Sequence, residues 1–338
     1  MNENTLDRSD TYRYLFTVFT PTYNRAHTLS RVYESLLSQT ERDFEWSIVD
    51  DGSSDGTRLK VEGWQQENRF PIRYIYQENQ GKHIATNRGV SAARGELFLT
   101  LDSDDSCRPE ALERFRYHWD SIPADRQANF SAVTCLCEDE NGRIVGSKFP
   151  FDPTDSDSLE IHYRFHMTGE KWGFHRTSVM SEFPFPEITG CNYIPENIVW
   201  SAIAKKYKTR FVNESLRVYH TGEDRATDPG RLVRMLTKNS RAHALFHQEV
   251  LNKELGFFSI APKSIAASAV HFSRFSFHAK YNIRTQFNRL KALGGKILWL
   301  IFLPVGTLVY LKDRTKIRAL NSSELQKNNS IDSSGSLV

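Results

Sequence analysis

The densest chemistry in this sequence is Asp102-Ser103-Asp104-Asp105, three carboxylates within four residues, placed directly after the largely apolar run Phe98-Leu99-Thr100-Leu101. Carboxylates held so close repel one another, and a hard divalent cation such as Mg²⁺ or Mn²⁺ offsets that repulsion. Such an ion bridges two phosphates and neutralises charge on a departing diphosphate. The bland alternative is a solvated acidic turn that caps the helix after Pro109. A second acidic loop, Asp50-Asp51-Gly52-Ser53, offers carboxylates that accept from a base N–H or a ribose hydroxyl, and a glycine that lets the backbone turn close to a ligand. Alone it reads as an ordinary Asp-Gly turn. Two acidic loops, each after a strand, shift the balance toward a site.

The elements that must hold these loops alternate. Residues 15–20, LFTVFT, form an apolar and β-branched run that predicts a buried strand, followed by the loop Pro21-Thr22-Tyr23-Asn24. Leu29, Val32, Tyr33, Leu36 and Leu37 then recur at helical spacing, in a helix capped by Thr28. Strands are expected at 46–50, 72–76 and 96–101, with a helix over 82–93 closed by Gly95. Such alternation implies an α/β fold, a mostly parallel sheet with helices on both faces and ligands beyond the strands' carboxyl ends. The loops at 21–24, 50–55 and 102–105 therefore share one rim. After a helix over 109–119, residues 132–137 and 144–145 flank Asn141-Gly142 and read as a hairpin at the sheet edge. A helix at 196–207, an extended stretch at 209–219 ending at His220, and helices over 229–254 and 262–280 complete the pattern.

Composition sets the class. With 39% hydrophobic and 25% charged residues the chain is neither disordered nor a multi-span membrane protein. Cys107, Cys135, Cys137 and Cys191 are too scattered for a disulfide framework or a zinc site and are expected as reduced thiols. The polar N-terminus lacks a secretory pattern, so a cytoplasmic location is expected.

Taken together, PTYNRAHTLSRVYESLLSQT, VDDGSSDGT and ENQGKHIATNRGVSAARGELFLTLDSDD resemble the family 2 glycosyltransferases of the GT-A (Rossmann-like) fold. The resemblance covers residues 16–119. It implies a uridine held by Thr22, Tyr23 and Asp51, and donor contacts from Lys82, Asn87 and Gly89. Pro21, Asn24, Asp50, Gly52, Asp102 and Ser103 complete the expected donor site. Asp102 and Asp104 fall on the family's Asp-Xaa-Asp motif, whose last Asp binds metal, and His220 matches a position where some GT-A enzymes supply a metal-binding histidine. The fragment Pro195-Glu196-Asn197 lies where many relatives carry Glu-Asp, one acid acting as base toward the acceptor hydroxyl. Asn197 cannot ionise, so the base is assigned to Glu196, whose other reading is a helix N-terminal acid favoured by the dipole. Lys82 and Asn87 read equally as solvated residues of an amphipathic helix, and His220 as a surface histidine at a strand end.

These readings give an inverting transfer from a nucleotide diphosphate sugar, a UDP-sugar by expectation, with Mn²⁺ or Mg²⁺. The acceptor is a saccharide or a lipid-linked saccharide. The rivals are a non-catalytic nucleotide-sugar-binding scaffold, or a nucleotidyltransferase, whose Gly-rich phosphate loop is absent here. The catalytic domain is expected over 1–225, with a nucleotide-binding half at about 14–120 and an acceptor half at 121–225. Glu223 and Asp224 are acceptor-contact candidates or plain loop charges.

Beyond it, residues 226–320 form a helical basic region and 321–338 a disordered Ser-rich tail. From 270 to 320 ten Lys or Arg face one acid, Asp313, for a charge of +9, so the rest of the chain carries −6. Within this stretch residues 297–311, ILWLIFLPVGTLVYL, are shorter than the roughly 20 residues a spanning helix needs and have cations on both sides. A re-entrant or interfacial anchor at the cytoplasmic membrane face is expected, against a helix packed on the catalytic domain or a homodimer contact. Nucleic acid is not an expected partner, because the charge accompanies an apolar run and no reading helix.

Overall fold

The computed structural model describes residues 12–220 and 231–334. Contacts divide the chain into two compact units, one within Met1–Glu187 and Glu196–Gly222, the other within Ile188–Pro195 and Glu223–Val338.

The first unit begins β1 (Tyr14–Thr22), α1 (Leu29–Leu37), β2 (Phe44–Asp50), α2 (Thr57–Glu67), β3 (Ile72–Tyr76), α3 (Lys82–Ala92), β4 (Gly95–Thr100) and β5 (Ser106–Cys107). It continues through α4 (Ala111–Asp120), α5 (Ala124–Gln127), β6 (Phe130–Asp139), β7 (Thr154–Ser156), α6 (Ser158–Tyr163), β8 (Lys171–Arg176), α7 (Thr177–Glu182), α8 (Asn197–Ala204) and β9 (Lys208–Tyr219). These strands make one sheet in the order β3-β2-β1-β4-β8-β6-β9-β5, with β7 paired to β9. The β3-β2-β1-β4 part is parallel, as the alternating pattern requires. Beyond β4 the sheet is mixed, because β8 runs antiparallel to both β4 and β6.

Every residue of β2 is buried, so both of its faces lie in the core. Trp46 fills one face, its indole N–H donating to Thr20 Oγ1 at 2.9 Å, while Tyr33 stacks on Trp64 with ring centroids 4.5 Å apart.

Two expectations are corrected. Residues 132–137 are not an edge hairpin: they lie in β6, between β8 and β9, and Ile144 meets Glu138 only through a single antiparallel bridge. Such a buried strand has no polar face to alternate with, so pattern alone could not place it. Thr28 does not cap α1 with its side chain; the hydroxyl donates to the Ser103 carbonyl at 2.9 Å. The sequence reading also passed over α2, where only Thr57, Val61 and Trp64 are buried, at i, i+4 and i+7, and Leu59 faces outward.

The second unit contains α9 (Arg231–Lys238), α10 (Ser240–Lys253), the 3₁₀ turn Leu255–Phe257, α11 (Pro262–His278), α12 (Ile283–Arg289) and α13 (Leu293–Ser334). Trp299 is its central core residue, packed with Leu251, Ala269, Phe272 and Leu290. The segment Ile188–Pro195 belongs here, with Asn239 Oδ1 accepting from the backbone N–H groups of Asn192 and Tyr193 at 2.9 and 3.1 Å. α13 is long and apolar enough to cross a membrane by length and composition. It continues to Ser334, through much of the segment for which disorder was expected, where Glu324, Leu325, Gln326 and Lys327 are good helix formers. The expected start of a helix at Pro229 and the candidates Glu223 and Asp224 lie outside the described residues. All four cysteines are buried free thiols.

Candidate active site

The parallel strands bring three loops together, and side chains tie them to one another. Asn24 has φ of 53°, an αL conformation Asn tolerates, and its Oδ1 accepts from Ser54 N at 2.8 Å while its own N–H donates to Ser53 Oγ at 2.8 Å. The first and second loops are thus joined. Arg31 donates to the Asp104 carbonyl at 3.2 Å, and the Thr28–Ser103 bond described above joins the first loop to the third. Pro21, paired with Val49 in the sheet, and Thr22 end β1 beside this junction. The Thr22 hydroxyl is buried and, among the described residues, has no protein partner. Tyr23 is half exposed.

Asp51 is buried and works on the loop before α3. Its Oδ1 accepts from Gln77 Nε2 at 2.7 Å and Gln80 N at 2.8 Å, and its Oδ2 from Gly81 N at 2.8 Å. A carboxylate has about four acceptor positions, which leaves one for a ligand. Gly52, at φ of 89°, brings the turn so near Asn79 that a Cβ would sit 2.8 Å from its backbone nitrogen.

At the mouth of α3 the charges converge on a cavity of about 260 Å³ lined by Lys82, Asp102, Trp172, His175, Glu196 and Arg217, among others. Lys82 Nζ lies 2.8 Å from Asp102 Oδ1 and 3.0 Å from Glu196 Oε1, so one ammonium bridges the third loop and the start of α8. Arg217 Nη2 is 3.1 Å from Asp102 Oδ2, and Arg217 also pairs with Asp105, Nε to Oδ2 at 2.8 Å. Burial alone would raise the Asp102 carboxyl, but Lys82 and Arg217 outweigh it and hold its pKa at about 2. Burial disfavours the Lys82 ammonium, yet the carboxylates of Asp102 and Glu196 reverse that and raise its pKa above the usual lysine value. For Asp105 burial wins, and its carboxyl is raised despite Arg217. On the cavity wall the His175 ring stacks on Trp200, centroids 4.8 Å apart, and burial pushes its pKa down to about 4, so it is neutral at pH 7.

Several expected site residues have other work. Asp50 has no exposed surface; Oδ1 accepts from Ser53 N at 2.8 Å and Oδ2 from the Tyr74 hydroxyl, so it shapes the turn and reaches no ligand. Both ends of the Asn87 amide meet Phe185, Nδ2 donating to its carbonyl and Oδ1 accepting from its N–H, each at 2.9 Å, so Asn87 clamps the segment after α7. Gly89 is required by the Phe19 ring, 2.4 Å from where a Cβ would be. His220 holds Glu140 with Nδ1 and Ser106 with Nε2, each at 3.0 Å, so coordination would cost it one of these bonds.

Among the described residues no three His, Cys, Asp or Glu side chains gather into a metal cage. A Mg²⁺ or Mn²⁺ site completed by phosphates needs only one or two carboxylates. Asp104 fits that need: its side chain is 38% exposed and its Oδ2 is 3.6 Å from Arg25. Asp102 is already balanced by two protein cations. Sequence reasoning missed Arg217, His175 and Trp200. Arg217, a charge two residues before the end of a buried strand, was the one legible signal.

Residues 17–144 match the family model described as glycosyl transferase family 2. The chain carries a family 2 glycosyltransferase domain. Its relatives include chondroitin synthase of Escherichia coli, 39% identical over 99 residues, which are 29% of this chain and 14% of that protein. The uncharacterized glycosyltransferase YibD of the same species is 27% identical over 66% of this chain and 65% of its own length. The chain thus matches less than two thirds of these relatives' length. Among solved structures, S. aureus TarS 1-349 in complex with UDP superposes with a TM-score of 0.56 at 19% identity, covering 92% of this chain and 91% of that one. The mannosyltransferase PcManGT from Pyrobaculum calidifontis, in complex with GDP-Man and Mn²⁺, gives 0.53 at 18% identity over 90% and 83%. The glycosyltransferase domain therefore has the GT-A fold, its α/β sheet flanked by helices.

Proposed function

We propose that the protein transfers a sugar, with inversion, from a nucleoside diphosphate sugar to a hydroxyl of a saccharide acceptor. The single observation that carries this reading is the bridge from Asp102 through Lys82 to Glu196 across one cavity. It sets a carboxylate of the diphosphate loop and a half-exposed carboxylate within reach of one ammonium.

Glu196 Oε accepts the proton of the acceptor hydroxyl as that oxygen bonds to the anomeric carbon, and the bond from that carbon to the diphosphate oxygen breaks. Base catalysis of this kind contributes about 10²–10⁴-fold. Lys82 orients the Glu196 carboxylate, and Thr22, Tyr23 and the remaining acceptor position of Asp51 face the nucleoside. A divalent cation held by Asp104, with Asp102 beside it, would supply charge neutralisation at the leaving diphosphate. UDP and UDP-GlcNAc complexes of TarS and the Mn²⁺ complex of PcManGT support a UDP- or GDP-sugar with a metal. Named relatives such as chondroitin synthase and the putative teichuronic acid biosynthesis glycosyltransferase TuaG favour a surface-polysaccharide or glycoconjugate acceptor, and the apolar, cation-flanked residues 297–311 favour one carried on lipid at the cytoplasmic membrane face.

Calorimetric titration with UDP- and GDP-sugars, with Mn²⁺ and with chelator, combined with nucleoside diphosphate release, tests the reading. Metal-dependent binding and turnover, with Glu196→Gln binding normally but turning over about 10²–10⁴-fold more slowly, is expected. Binding without turnover in the natural chain would leave a nucleotide-sugar-binding scaffold.

A further inference from the structure

We propose that the outward faces of α12 and α13 form a docking surface for an anionic phospholipid bilayer, with α13 lying in the plane of the interface. The inference deepens the membrane-side acceptor suggested above and uses none of the transfer chemistry.

α13 has two faces. At roughly 100° per residue, Gly295, Trp299, Gly306 and Asp313 share one side of the helix. That side is fixed to α10 and α11 along its length. A Cβ on Gly295 would sit 2.4 Å from the Leu251 carbonyl oxygen, and one on Gly306 would sit 2.6 Å from Ser273 Cβ. Trp299 is buried, its indole N–H donating to Gln286 Oε1 at 3.1 Å. Asp313 pairs with Arg274 at 2.6 Å and His278 at 3.1 Å. The opposite side carries Leu293, Ile297, Leu300, Ile301, Leu308 and Leu311, which are 47–73% exposed. On α12, Ile283 and Phe287 are also exposed, and Lys296 Nζ lies 4.3 Å from the Phe287 ring centroid, which places α12 beside one cationic margin of the stripe. Soluble monomers rarely leave so long an apolar stripe in water.

Charge identifies the occupant. Lys296 and Arg314 fall along one margin of the stripe and Lys312 and Lys316 along the other, by the same helical geometry. The one acid between residues 293 and 320, Asp313, is turned into the ion pairs on the buried side. An apolar stripe between cationic margins matches acyl chains beneath anionic headgroups. A second copy of the same face would set cationic margins against each other, which like-charge repulsion disfavours.

The docked side also decides the orientation. A crossing helix would take the Asp313–Arg274–His278 cluster and the polar partners on α10 and α11 toward hydrocarbon, where such groups are costly.

The test is flotation of the purified full-length protein with large vesicles, in the absence of nucleotide and sugar. Vesicles of phosphatidylcholine alone are compared with 3:1 phosphatidylcholine and phosphatidylglycerol. Binding to the anionic vesicles is expected, weaker on neutral ones and in high salt. Leu300→Glu with Leu308→Glu should lower the partition coefficient about a hundredfold, and Lys312→Gln with Lys316→Gln about thirtyfold. Both pairs are exposed, so circular dichroism should show the fold unchanged. In a Leu308→Trp variant, lipids brominated near the headgroup should quench more than lipids brominated at the chain end. Absence of vesicle binding, equal binding by the Leu300/Leu308 double variant, or stronger deep quenching would each overturn the proposal. So would a natural chain that is dimeric by light scattering and becomes monomeric in that double variant without any vesicle binding. Because no substrate is used, failure here leaves the transfer reading to its own assay.

Discussion

Asp102 and Asp104 belong to one motif, yet the structure assigns them unequal energetic roles, and replacing each with Asn separates them. Asp102 holds Lys82 on one oxygen and Arg217 on the other, and the Arg217 side chain is only 7% exposed. Holding its carboxyl at about 2 instead of 3.8 corresponds to roughly 2 kcal/mol of favourable charge interaction at neutral pH. Arg217 keeps Asp105 as a partner, so Asp102→Asn should stop at about that cost and not reach the roughly 3–5 kcal/mol of an orphaned buried charge. Asp104, more exposed and 3.6 Å from its arginine, should lose less than about 1 kcal/mol as Asn. The pH dependence has a definite sign. Because the folded pKa is depressed, the Asp102 contribution is fully present above its unfolded value near 3.8 and is lost as pH falls through about 2. Urea unfolding of the chelator-treated proteins, followed by circular dichroism, should give a constant Asp102→Asn deficit at pH 7 and pH 5 that narrows below about pH 4. A deficit under about 0.5 kcal/mol, an equal cost for Asp104→Asn, or a gap unchanged at pH 3 would refute the network as described.

Two other outcomes follow from single contacts. Gly52→Ala places a Cβ 2.8 Å from Asn79 N at φ of 89°, so it should cost about 1–3 kcal/mol and weaken nucleotide binding by disturbing the Asp51 loop, as thermal melts with and without nucleotide would show. His243 is buried and held at a pKa of about 4, against 6.5 when unfolded. Its neutral form favours folding fully above about 6.5, and that benefit is lost as pH falls toward 4, so His243→Phe should recover about 2 kcal/mol of the natural chain's stability loss between pH 7 and pH 5 in denaturant titrations.

The local content of this protein was legible in one dimension. Helical spacing placed α1, an apolar run ended by Pro21 placed β1, and Asp-rich turns after strands placed the rim, because backbone periodicity and turn chemistry are local properties. The three blocks that resemble the family lie on those local signals, so residues 16–119 could be read in advance. Residues 130–219 could not. β6, β8 and β9 pair across long separations, and nothing in residues 130–139 says that they lie inside the sheet.

The division of labour among polar side chains was likewise invisible in sequence, since an Asp, Asn or His has the same composition whether it faces a ligand or a neighbour. Only packing showed that Asp50 braces a turn, that Asn87 clamps Phe185, and that Lys82 joins Asp102 to Glu196. The same holds for α13: its sequence announces an apolar, cation-flanked helix, while its fixed partners on α10 and α11 decide which side of it remains for something else to cover.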